Sequence, residues 1–326
     1  MSRVISEKTR ILNRFFPPGP WIGILFILAP YLMLCTPSAH RDAYMSEDEV
    51  YYGADSYKVD YNKEVIQARG HAFFRKANRL VFADRIMIEY AKGVKRAVFH
   101  DRVLMQNKDE RYRISGDSAE ARFDLETYTV EGNSAYTDDA RTIRSHTIRK
   151  DGGEELRFSG DVRYVDGTFN VNAPGLTILR ETAFSGRGVE ALDRERGDRI
   201  LCDRLTYYTL SGDVLFEGNV YYLQGTEKGG EGSGKPAVLQ ADAVRYVRDI
   251  DTFLLAGKAY LLRGDFSLGA STVEYDRRNG RVTARGDAVL RDGSTTVYST
   301  GMEFDVDSRV VIMHEEARGV FPSRRR

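Results

Sequence analysis

The stretch ADAVRYVRDIDTFLLAGKAYLL, residues 241–262, carries the pattern that decides the fold. Counted from Asp242, apolar side chains stand at Val244 and Tyr246, with Arg245 between them. Counted from Gly257, they stand at Phe253 and Leu255 before it and at Ala259 and Leu261 after it. Alternation with a period of two puts one set of side chains on one face of a strand, and a helix would not keep it. The segment reads as strand, turn, strand.

The same frame recurs along the chain. An Asp is followed fifteen residues later by a Gly at Asp55/Gly70, Asp117/Gly132, Asp203/Gly218 and Asp242/Gly257, and Ser271/Gly286 keeps the frame with Ser. Asp84 and Thr300 open units that lack the Gly. A small residue precedes every start: Ala54, Ala83, Gly116, Cys202, Ala241, Ala270 or Ser299. Cys202 therefore reads as the filler of a small slot. The Asp reads as structural, opening a strand and bonding nearby backbone N–H groups at a turn.

Fourteen residues define an apolar face. Two and four positions past the starts stand Tyr57 and Val59, Ile86 and Ile88, Leu205 and Tyr207, Val244 and Tyr246, Val273 and Tyr275, and Met302 and Phe304. Phe216 and Leu255 lie two before their glycines. Turn residues separate the strands at Asn62-Lys63-Glu64, Ser211-Gly212-Asp213 and Asn279-Gly280, and Asn-Gly between alternating runs is a strong hairpin signal. Where regular, the units follow every 29–39 residues. Residues 144–197 are degenerate: Leu156–Val165 and Phe169–Leu179 still read as strands, but Pro174 takes the place of the Asp.

The N-terminus differs in kind. Five of the eight prolines and the single Trp fall within the first forty residues, and no charge lies between Phe15 and Ala39. Basic residues precede this run and acidic ones follow, which keeps the N-terminus in the cytoplasm and exports the rest. Three export readings fit: an uncleaved anchor, which is favoured, a cleaved signal peptide, or a lipoprotein signal at Cys35. The organisation is then a basic flank (1–14), an anchor or signal segment (15–38), a linker (39–50), β regions at 51–195 and 196–322, and a basic tail (323–326).

Several classes fall away. The chain has 326 residues with 48 basic against 48 acidic, and that neutrality argues against a nucleic-acid binder. The histidines are scattered without metal spacing, and no P-loop, nucleophile elbow or dinucleotide fingerprint is present. No cofactor and no catalytic residue is expected. A carbohydrate-active β-solenoid would need convergent carboxylates, which the columns do not supply.

With its Ala-Asp starts and strands ending in Gly-x-(Ala/Val), as in residues 241–262 and in CDRLTYYTLSGDVLFEGNVYYL (202–223), the chain resembles the OstA-like family of lipopolysaccharide-transport proteins. The likeness covers about 51–136 and 199–321. It implies an all-β fold of repeated antiparallel hairpins forming an open β-jellyroll, two facing sheets with a V-shaped groove, after the N-terminal anchor helix. It also implies a non-enzymatic, periplasmic protein at the inner membrane that binds lipid A acyl chains of lipopolysaccharide along the fourteen-residue face. The implied partners are an inner-membrane export ABC transporter and like-folded β-jellyroll proteins joined by edge-strand addition. Alternation alone fits a second reading equally well, a structural β-repeat scaffold with a closed, dry core.

Overall fold

The computed structural model describes residues 50–91, 95–179, 182–225 and 236–320. The segment 15–38, the Gly-rich stretch after Gly225 and the terminal arginines lie outside them. The fold below is that of the unit beginning at Val50.

Its strands are β1 (Val50–Gly53), β2 (Ser56–Asp60), β3 (Val65–Lys76), β4 (Arg79–Glu89), β5 (Arg96–Asn107), β6 (Tyr112–Arg122), β7 (Thr127–Thr137) and β8 (Arg141–Asp151). Then come β9 (Glu155–Asp166), β10 (Phe169–Leu179), β11 (Thr182–Asp193), β12 (Arg199–Tyr208), β13 (Val214–Leu223) and β14 (Ala237–Val247). The series ends with β15 (Thr252–Arg263), β16 (Phe266–Asp276), β17 (Arg281–Asp292), β18 (Thr295–Asp305), β19 (Val310–His314) and β20 (Arg318–Val320). All belong to one antiparallel sheet. From β3 to β18 each strand pairs with its neighbours in sequence. At one end β1 and β2 both pair with β3, and at the other β19 and β20 both pair with β18. The ladder runs through the degenerate stretch, where β9 and β10 match the two expected strands, and on from β11 to β12.

One expectation is corrected. Asp84, Asp117, Asp203 and Asp242 do not open a strand but lie in the middle of one, in β4, β6, β12 and β14, whereas Asp55 directly precedes β2. Asp117 sits within β6, where two residues of β7, Gly132 and Asn133, face the single Asp across a register shift. Both have positive φ, 76° and 46°. A Cβ at Gly132 would fall 2.8 Å from the Asp117 Cβ, so conformation and space both exclude a side chain there. The Asp117 carboxylate accepts a bond from Asn133 Nδ2 at 3.2 Å, and Asp203 accepts one from Asn219 at 2.9 Å. Asp55 bonds His71 at 2.9 Å, and Asp84 takes two bonds from Arg102, the second residue of the Asp101–Arg102 corner. In each case the Asp holds the side chain of the second left-handed residue. Pro174 occupies the same position opposite Gly160–Asp161, where it forfeits a ladder bond only at an existing irregularity.

These bulges align from strand to strand and crease the sheet into two leaves. The first leaf holds the half-strand Val65–Arg69 and its neighbours, the second holds Ala72–Lys76 and its neighbours. Inner-face residues of both leaves form one hydrophobic core. Beside the crease they are small: Ala72, Ala83, Cys202, Ala259 and Ala288 are all buried. Farther out they are large, and rings meet across the leaves: Phe74 on Phe123 at 4.8 Å, Tyr222 on Phe253 at 4.7 Å, and Phe266 on Phe304 at 4.8 Å. The wedge from alanines to aromatics is the side-chain form of the V. Cys202 fills its narrow slot, and burial pushes the thiol up to about 12, leaving it protonated and inert at neutral pH.

Candidate functional site: the interior between the leaves

The fourteen sequence-derived residues all project from the first leaf toward the second. Twelve are buried, and only Tyr57 (48% exposed) and Val59 (41%) are open. The reason is position. Tyr57 and Val59 pair with the buried Ala68 and Ile66, so they share the inner face, but they stand on β2 at the end of the array. At the other end Met313 pairs with buried Met302 and is itself 43% exposed. The inner face thus runs through the whole sheet, largely apolar but carrying Ser134, Ser145, Lys150 and Ser299, and is uncovered at both ends. The facing wall, including Phe74, Val81, Ile114, Tyr136, Tyr222 and Leu261, comes from the other half of the same strands.

Between its ends the interior is filled by side chains, and the outer rim of the wedge is fastened in one region. The turn between β11 and β12, on the second leaf, reaches the first leaf twice. Asp198 Oδ2 accepts a bond from Arg277 Nη1 at 2.7 Å, and the two side chains are only 3% and 7% exposed. The Tyr222 hydroxyl also donates to Asp198, and the Gly225 N–H donates to its other oxygen at 2.7 Å. Alongside, Arg196 Nη1 donates to Asp251 Oδ1 and to the Tyr246 hydroxyl, both at 2.7 Å. Burial pushes the Tyr246 phenol up to about 12 and holds the Tyr222 phenol well above the usual tyrosine range, so both stay neutral and available as donors. Beneath these clasps remains a void of only about 10 Å³.

The rim over β3–β7 is built differently. Phe123, in the turn after β6, stacks on Phe74, and Lys76 Nζ lies 5.4 Å from its ring centroid. Under it is a cavity of about 30 Å³ bounded by Phe74, Val81, Met105, Tyr112, Ala121 and Tyr128. The Tyr128 hydroxyl is buried there beside the Tyr112 hydroxyl, with no hydrogen bond of ordinary geometry.

Sequence reasoning did not find Asp198, Arg277, Arg196, Asp251 or Phe123. Each is an isolated residue in a turn, outside the strand columns, and Asp198 meets a partner 79 residues away. No local spacing signals such a pair.

A creased antiparallel meander with an apolar interior open at its ends defines the class of fold. Residues 53–156 match the family model described as LptA/(LptD N-terminal domain) LPS transport protein. That match bears out the lipopolysaccharide-transport resemblance over this segment. No curated protein matches the chain. Among solved structures, the chain is similar to LptH, the LptA homologous periplasmic component of the conserved lipopolysaccharide transport device from Pseudomonas aeruginosa. The identity is 10% and the TM-score 0.17, over 66% of this chain and 97% of that one.

Proposed function

We propose that the chain is a non-enzymatic lipid carrier of lipopolysaccharide export, holding lipid A acyl chains between its two leaves. The observation that carries this reading is the apolar inner face running from Tyr57 and Val59 to Met313, exposed at both ends. Exposing an acyl chain to water costs about 0.8 kcal/mol per CH₂, or on the order of 10 kcal/mol for a chain of about 13 groups. A sheltered apolar path lowers that barrier without chemistry, while sugars and phosphates stay in water. Segment 15–38 would anchor the protein to the inner membrane, where an ATP-driven ABC transporter would supply the lipid. The open edges at β1–β2 and β19–β20 would pair with like-folded proteins and continue the path.

The buried Asp198–Arg277 pair favours a second reading, a scaffold whose core stays dry. Purification of the full-length chain from membranes, with mass analysis of bound lipid, separates the two. The carrier is expected to retain lipopolysaccharide at near-stoichiometric amounts, whereas lipid at background level supports the scaffold.

A further inference from the structure

Resting on the carrier reading, we infer that acyl chains are admitted beneath Phe123, at the rim over β3–β7, and not through the rim over β11–β17. The two stretches of rim are closed in different ways. Over β11–β17 the leaves are joined by two arginine–aspartate clasps, Asp198–Arg277 buried and Arg196–Asp251 half-buried, with almost no space under them. Opening there separates charges in a desolvated setting, which is strongly unfavourable unless both are rehydrated together. Over β3–β7 the cover is one half-buried ring in a turn, held by stacking and by a lysine at its face. Contacts of that kind are each worth about 1 kcal/mol.

Two further observations point to a ligand. The cavity under Phe123 already exists, and at about 30 Å³ it has room for a first methylene without any movement. A swing of the Phe123 side chain joins it to the apolar interior through Phe74 and Val81. The buried Tyr128 hydroxyl lies beside that of Tyr112 and makes no hydrogen bond of ordinary geometry, so the site holds a poorly satisfied donor. A single alkyl chain satisfies the walls, and the carbonyl of its ester or amide link satisfies the hydroxyl. At the mouth stand Lys76, Arg79 and Arg122, against Asp124 and Glu126, a slight cationic excess that suits an anionic headgroup left in water. The occupant is therefore a fatty acyl chain on an anionic headgroup.

Uptake of cis-parinaric acid by the full-length chain, followed by its fluorescence, tests this. Ala121→Trp fills the cavity and is expected to weaken uptake at least tenfold. Phe123→Ala removes the cover and is expected to speed association at least threefold, with circular dichroism confirming the fold of both. Uptake by Ala121→Trp at the wild-type level overturns the inference and leaves the carrier reading standing. No uptake by either wild type or Phe123→Ala overturns both. Where Ala121→Trp fails to fold, an unchanged association rate in Phe123→Ala overturns the inference by itself.

Discussion

Asp198→Ala is expected to lower stability by about 3–5 kcal/mol, the range for breaking a buried pair by removing one partner. The size follows from what is left behind. The Arg277 guanidinium, 7% exposed, loses its carboxylate, the Tyr222 hydroxyl loses its acceptor, and the Gly225 N–H loses its bond. The loss is a penalty of unpaired burial and not the net worth of the pair. The double variant Asp198→Leu with Arg277→Met is accordingly expected to recover the part due to the stranded charge, while the Tyr222 hydroxyl and the Gly225 N–H stay unpaired. Urea denaturation of the three proteins measures both effects. A loss under about 1 kcal/mol in the single variant would show that the rim opens readily at the clasp.

Gly132→Val attacks the crease and is expected to cost about 3 kcal/mol. A residue held in the left-handed region costs about 1–3 kcal/mol, and a β-branched side chain falls at the upper end. Here φ is 76°, and the new Cβ would also displace the Asp117 side chain that holds Asn133. Asp117→Ala in the same protein makes room but leaves the backbone strain. The two substitutions are therefore expected to be non-additive, with part of the cost relieved. Thermal melts of the single and double variants read this out, and full additivity would show that the carboxylate and the corner are independent.

The sequence exposes the strands more readily than the crease, and residues 127–137 show why. Inward residues of β7 are Tyr128, Val130, Ser134 and Tyr136, and Gly132 falls on the same parity. Two residues of one strand face one of the next, yet the even count is kept on both sides of the corner. Alternation therefore looks unbroken where the sheet folds over. The turns at Ser211-Gly212-Asp213 and Asn279-Gly280 were legible because their chemistry is local. The Asp is visible as a recurring residue, but its partner sixteen residues on, Asn133 or Asn219, lies one past the conspicuous Gly at a position whose residue type changes from unit to unit.

The candidate site shows the same division. Columns counted from the Asp starts gave one wall of the interior, from Ile86 to Phe304. They could not give the exposure of Tyr57 and Val59, which depends on the array ending at β2. Nor could they give the closure at Asp198–Arg277, a contact between turns distant in sequence. Periodicity reports which face a side chain takes, and tertiary structure alone reports what that face meets.

The central claim is that acyl chains lie between the leaves. A photo-crosslinking residue placed at Tyr246 or Tyr275, both buried and inward, and at Arg245 or Glu274, their neighbours on the opposite face, tests it in living cells. The account predicts capture of lipopolysaccharide at the inward positions and little at the outward ones. Capture confined to Arg245 and Glu274 would contradict it.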